Sequence, residues 1–404
     1  MISCDTQSGL IPFEEALQRL LDSASCQVAT EQVLLAEAAG RVLAESPIAS
    51  VSVPPADNSS MDGYAVNLAD IQGETRLPVS QRIPAGTPPQ PLKPGTCARI
   101  FTGAEIPAGA NSVVMQENVK ADGEFAVFTQ CPSDAENIRR KGQDIHVGDA
   151  VLSAGVKLRP AELGLLASVG LAQVEVYRKL KVAILSTGDE LMEPGEALGP
   201  GQIYNSNRYI LTGLLQALDM EVVDLGCVAD TREATLDALR KASASADAII
   251  STGGVSVGEE DHVKGCVEEL GQLDMWKIRI KPGKPVAYGH VQGTPFIGLP
   301  GNPTSTLVTF CLLAKPCLQQ LQGATYAAPL QLNIPAGFTR KRAIQRQEYL
   351  RVKVEDNRLV PFSNQSSGVL ASASWADGIA VIPPETMVSP GDFVAFIPFA
   401  DLLN

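Results

Sequence analysis

The apolar positions change period along the chain, and each change predicts a different kind of element. Phe13, Leu17, Leu20 and Leu21 fall on one face of a helix predicted over residues 12–24. Pro12 suits its first turn, and Glu14 and Glu15 favour the positive end of its dipole. A second helix is predicted near residues 33–43. From 51 to 131 short β-like runs alternate with Pro and Gly, at residues 63–66, 98–101, 112–115 and 125–128, which predicts a β-rich module. Residues 137–152 are a polar return segment, and 156–177 hold a short helix and a strand.

From residue 180 to about 323 strands and helices alternate. Strands are predicted at 182–185, 221–225, 248–251, 276–280, 286–289 and 296–299. Helices are predicted at 208–218, 231–243, 263–270 and 304–321, the last interrupted at Pro316. Repeated βαβ units imply a mostly parallel sheet covered on both faces. The tail, 328–404, alternates with period two and predicts a small barrel or sandwich. The fold class is thus α/β plus β, in several domains, as a length of 404 residues also suggests.

Composition narrows the partners. A net charge of −13 argues against coating nucleic acid, which needs a basic face. The most apolar stretch, 307–318, is short and broken by Lys315-Pro316, so no membrane span is expected. The first residues lack a basic and then apolar leader, so no secretory signal is expected. The eight cysteines form no CxxC pair and suggest free thiols in a reducing cytoplasm. With three histidines and no HxxxH spacing, a His-rich metal site is not expected.

Three α/β strands run into Gly-rich polar loops: Ser186-Thr-Gly-Asp189-Glu190, Ser251-Thr-Gly-Gly-Val-Ser256-Val-Gly258, and Gly298-Leu-Pro300-Gly301-Asn302-Pro303-Thr304-Ser305. The carboxyl ends of parallel strands face one crevice, where backbone N–H groups and helix N-termini attract anions. Three ordinary βα turns are the plain alternative. Lys277, Arg279 and Lys281 share one face of a strand, and Lys284 follows in a Pro-Gly-Lys-Pro turn. Adjacent like charges repel unless they meet an anion or open water. No acidic residue occurs from 275 to 347, so the local field opposes that of the whole chain. A solvated edge strand is the alternative here. Asp189, Glu190, Asp230 and Asp261 lie near that basic set, and carboxylates beside phosphate loops suit Mg²⁺. Asp230 equally suits a helix cap. Gly254-Val-Ser256-Val-Gly258 also fits a hydrolase nucleophile elbow, but only Asp261 or Asp274 and then His290 could complete a triad.

Taken together, DNSSMDGYAV (57–66), RIFTGAEIPAGANSVVMQE (99–117), NIRRKGQDI (137–145), LSTGDEL (185–191), GQIYNSNRYIL (201–211), ISTGGVSVGEEDHVK (250–264), WKIRIKPGKPVAYG (276–289) and GLPGNPTSTLVTF (298–310) resemble the molybdopterin molybdenumtransferases, the family that includes the C-terminal part of gephyrin. The resemblance implies an elongated linking domain (8–50 and 144–178), an inserted β-rich domain (51–143), a three-layer α/β molybdopterin-binding domain (179–326) and a C-terminal β-barrel (327–404). It implies a homodimer with shared active sites, possible contacts with other cofactor-pathway proteins, and no nucleic acid or membrane partner. The implied reaction takes molybdate and adenylylated molybdopterin and releases AMP with Mg²⁺. By resemblance, Asp62, Asp144, Glu190, Asp230, Asp261, Lys277 and Lys281 are catalytic, and Glu190, Asp230 and Asp261 hold the metal. Thr102, Arg139, Ser256, Lys284, Pro300, Pro303, Ser305, Arg351, Ser366 and Ser367 are expected to bind substrate. A non-catalytic pterin-binding scaffold is the competing expectation.

Overall fold

The central sheet has seven strands, in the order Leu10–Ile11, Gly271–Ile278, Pro285–Val291, Thr294–Leu299, Ala248–Thr252, Lys181–Thr187 and Glu221–Val228. The computed structural model describes residues 10–26, 28–254 and 262–403. Lys181–Thr187 is buried on both faces, as an apolar run requires. Val182 and Ile184 enter one core with Leu211, Leu215, Phe310 and Leu318. Ala183 and Leu185 enter the other with Leu239, Val267 and Phe296. Each fully buried aliphatic side chain contributes about 1.5–3 kcal/mol. Helices Phe13–Ser23, Ser206–Ala217 and Pro303–Thr309 cover the first face, and Arg232–Ser245 and His262–Leu270 the second.

The sheet is mostly parallel, as expected, with four of its six strand pairings parallel, but one strand makes it mixed. Four neighbouring strands are parallel, but Pro285–Val291 runs against both of its neighbours. The cause is local. Only Gln292 and Gly293 separate it from Thr294–Leu299, and both have positive φ, 50° and 87°. A two-residue turn of that kind makes a hairpin and leaves no room for a crossover.

The helix expected near 33–43 does not form. That segment is the strand Thr30–Leu34, a short 3₁₀ turn Leu35–Glu37 and the strand Val42–Leu43. Both strands pair with Gln173–Tyr177, and this tertiary pairing outweighs the helical spacing. Single bridges Val42–Lys157, Ile48–Ala150 and Val53–Ile145 then carry two extended stretches out to the β-rich region. There, six strands run in the order Ser112–Met115, Gly63–Val66, Cys97–Ile100, Thr75–Ile83, Phe125–Phe128 and Val119–Asp122. Tyr64 and Val66 face one small core, and Ala65 the other.

In the last helical run the irregularity lies before Pro316, not at it. Phe310–Ala314 is a π turn between Pro303–Thr309 and Lys315–Leu321. Pro316 has no N–H to give the preceding turn, so the hydrogen-bond pattern loosens there. The tail curls into a sheet of Gln347–Glu355, Gly378–Ile382, Phe393–Pro398 and Leu332–Pro335, with Arg358–Pro361 beside the first. One bridge, Ala336 to Leu359, joins its ends. Ile280–Lys281 adds an outer strand from the α/β region. The basic segment therefore changes sheet: Lys277 pairs in the central one and Lys281 in the tail. Its alternation persists, with Ile278 and Ile280 buried and Lys277 and Arg279 exposed.

Candidate active site

Gly271–Ile278 runs in the same direction as the four parallel strands. Its end therefore brings the Lys281–Lys284 turn to their carboxyl edge, beside the loops after Thr252 and Leu299. A cleft of about 600 Å³ opens there. Gly253, Gly254, Lys281, Lys284, Pro300, Gly301, Asn302 and Ser305 line it from the α/β side. Arg346, Gln365, Ser366 and Ser367 line it from the tail. Among the described residues, three cations and no carboxylate face this space.

The loops are held in shape from behind. Ser186 and Thr252 hydroxyls meet at 3.0 Å across adjacent strands. Asn207 Nδ2 donates to Gly301 O at 2.7 Å, so the helix beginning at Ser206 fixes the third loop. Gly283 has φ +100°, and an added Cβ would run into Thr309 Cγ2, so only glycine fits this turn. Thr304 N and Oγ1 donate to Ser367 O (3.0 Å) and Val369 O (3.2 Å), which ties the tail loop to the start of a helix. That helix directs its positive end toward the cleft.

Arg351 does not reach the cleft. It is 1% exposed and donates to Ser372 Oγ (3.1 Å), Tyr349 O (3.2 Å) and Ser366 O (3.3 Å). Gln365 bonds its backbone in both directions, at 3.0 and 2.8 Å. Burial pushes the Arg351 guanidinium down to about 10, so it stays charged at neutral pH while it braces the Gln365–Ser367 loop from beneath. The sequence expectation of an oxyanion ligand is thus replaced, in this conformation, by a brace.

Asp189, Glu190 and Asp230 do not line the cleft. Asp189 Oδ1 accepts the Asp230 N–H at 3.1 Å, and the Glu190 carboxylate folds over Gly188. Ser256 and Asp261 lie outside the described residues. Among the described residues no three His, Cys, Asp or Glu side chains gather in a way that could hold a metal. Lys277 and Pro303 are not cleft-lining either, although Pro303 opens the helix whose Ser305 is.

Asp62, Thr102, Arg139 and Asp144 all belong to the β-rich region and its approach. Asp62 Oδ1 accepts from Thr102 N and Thr102 Oγ1, each at 2.8 Å. Those two bonds, the backbone one first, hold the Asp62 carboxyl below its ordinary range. Arg139 is exposed opposite Asn58, and exposed Asp144 gives its N–H to Val53 O. None of the four lines the cleft within one chain.

Sequence reasoning missed Arg346, Gln365 and Asn207, whereas Asn302 lies within the third loop it singled out. The acid-free stretch from 275 to 347 contains Arg346 and could have pointed to it. Nothing local marks Asn207 or Gln365, whose roles arise from contacts 94 and 14 residues away.

The hydrolase arrangement is not supported. His290 pairs with Pro295 near the beginning of Thr294–Leu299. That is the edge opposite Gly253, roughly 15 Å away along the strands at about 3.3 Å per residue.

Comparisons with known proteins cover nearly the whole chain. Family models match in order: the MoeA N-terminal region (domain I and II) over 11–170, a probable molybdopterin binding domain over 183–320, and the MoeA C-terminal region (domain IV) over 333–399. A molybdopterin molybdenumtransferase of Haemophilus influenzae is 41% identical over 404 residues, covering 98% of this chain and 100% of that protein. One from Nostoc sp. is 36% identical, covering 92% and 89%. A crystal structure of the molybdopterin biosynthesis moeA protein from Pyrococcus horikoshii superposes with TM-score 0.83 at 30% identity, over 96% of this chain and 100% of that one.

Proposed function

The chain belongs to the molybdopterin molybdenumtransferase family, and we propose that it inserts molybdate into adenylylated molybdopterin with release of AMP. It is an enzyme of molybdenum cofactor biosynthesis. The observation that carries the finer reading is the cleft itself: Lys281, Lys284 and Arg346 converge with no facing carboxylate among the described residues, in a chain of net charge −13. Pterin phosphate, AMP phosphate and molybdate are all oxyanions, and such a cleft concentrates them. Cleaving the phosphoanhydride builds negative charge on the departing AMP phosphate. Lys284 and Arg346, at the cleft, stabilise that charge. The Gly253–Gly254 and Pro300–Asn302 loops let a phosphate approach the backbone closely, and Ser305, Ser366 and Ser367 offer hydroxyl donors.

A magnesium ion belongs to this proposal. Mg²⁺ commonly takes one or two carboxylates and completes its shell with water and substrate phosphates. Glu190 and Asp230 would hold it, with Asp261 outside the described residues. When bound, it neutralises phosphate charge. The active enzyme is proposed to be a homodimer in which Asp62, Thr102, Arg139 and Asp144 of one copy complete the cleft of the other. The seven cysteines among the described residues are free, which suits a reducing compartment, and we place the reaction in the cytoplasm. No helix among the described residues is long and apolar enough to cross a membrane.

The test is AMP release from adenylylated molybdopterin. Release should need both molybdate and Mg²⁺. Release at the full rate without molybdate would overturn the insertion chemistry, and binding without any turnover would favour a scaffold.

A further inference from the structure

One of the three cleft cations is already engaged. Lys281 Nζ lies 3.0 Å from Glu348 Oε1. Glu348 is 2% exposed, and its other oxygen accepts from Arg340 Nε at 2.7 Å and from Arg340 Nη2. Backbone register fixes the group, because Lys281 pairs directly with Glu348, and Arg340 is bridged in both directions to Val388. Of the three residues, only Lys281 lines the cleft. The triad holds two positive charges and one negative.

A staple between two regions needs only one cation. With Lys281 as its sole partner, a buried Glu348 would resist losing it, because an uncompensated buried charge is strongly unfavourable. That pairing would hold Lys281 back from any ligand. Arg340 changes the balance: its planar fork keeps Glu348 paired through two donors when Lys281 turns away. The residue types match these tasks, with the flexible lysine stem at the cleft and the rigid guanidinium behind it.

We propose that Glu348 and Arg340 are positioning residues that make Lys281 a transferable cation. Lys281 rests on Glu348 while the cleft is empty and passes to an incoming substrate oxyanion, and Arg340 then retains Glu348. This inference rests on the oxyanion reading of the cleft and deepens it.

A transferable cation and a staple predict opposite signs for one variant. The experiment is calorimetric titration of the full chain with inorganic phosphate, and separately with AMP, at low ionic strength. Glu348→Gln removes the resting partner, and anion affinity should rise about fivefold. Arg340→Gln leaves Glu348 to Lys281 alone, and affinity should fall about fivefold, with Arg340→Lys restoring most of it. Adding Lys281→Met should abolish both differences. Weaker binding in Glu348→Gln, or unchanged binding in both variants, overturns the proposal. If Arg340→Gln does not fold, Glu348→Gln alone decides, by a rise against a fall or no change. Binding is read without turnover. Diverging affinities in a protein that releases no AMP would therefore sink the functional reading and leave the triad standing.

Discussion

The two parts of the candidate site are built in opposite ways. The cleft between the α/β region and the tail is assembled in advance: Asn207 holds one rim, Thr304 ties the tail loop down, and Arg351 braces that loop from below. The β-rich region offers a smaller hollow of about 280 Å³ beside Asn58, Gly103 and Glu105, with no lysine or arginine in its lining. Its candidate residues Thr102, Arg139 and Asp144 are exposed, and Asp62 is partly so. One part thus has its loops fixed at folding. On the proposed shared-site arrangement, the other becomes a site only when a second surface covers it. A second copy of the chain is the simplest cover, since symmetric assembly places unlike surfaces of two copies together.

The largest expected effect separates the two parts by function. Lys284→Ala removes a cleft cation from the developing phosphate charge and should slow AMP release about 10²–10³-fold. Phosphate affinity should fall far less. Equal losses in rate and affinity would make Lys284 a simple ground-state binder. Next comes a mixing experiment. Asp62→Ala and Lys284→Ala proteins, each nearly inactive, are combined and allowed to exchange subunits. With shared sites, half the dimers are mixed and each has one intact site, so roughly a quarter of the wild-type rate should return. No recovery after demonstrated exchange would place both residues in the service of one chain.

A third variant tests the preassembled part alone. Arg351→Met leaves Tyr349 O, Ser366 O and Ser372 Oγ without their donor. Stability should drop by about 1–3 kcal/mol, measured by urea unfolding. An unchanged midpoint would contradict the bracing role.

The contrast between the regions also shows what a sequence can reveal. Two of the three strand-to-glycine loops, those after Thr252 and Leu299, line the cleft, and they were legible because a local pattern, apolar run then Gly and hydroxyls, corresponds to one physical arrangement. The basic segment was legible through its charge, and the absence of acids from 275 to 347 ends at Glu348, the residue that pairs with Lys281. That pairing itself was not legible, since it joins residues 67 apart through a strand shared between two regions. The strand Thr30–Leu34 was misread for the same reason: its partner, Gln173–Tyr177, lies far along the chain. Arg351 was expected to be a ligand by the family resemblance, which marks a position and not its burial.

The smallest expected effect concerns the open part. Asp62 takes two hydrogen bonds from Thr102, and its carboxyl sits below the ordinary value of 3.8. A lowered carboxyl value in the folded state means the contact is complete above the unfolded value and is lost as pH falls through the folded one. Thr102→Val removes the hydroxyl but keeps the backbone N–H, which is the larger of the two causes. The Asp62 carboxyl, followed by ¹³C NMR titration, should therefore move only part of the way back toward 3.8. A full return would show that the hydroxyl dominates, and no movement would show that it contributes nothing. In either protein Asp62 is ionised at neutral pH, so a change in turnover at pH 7 in Thr102→Val would report the lost hydroxyl at the proposed shared site and not a change in charge.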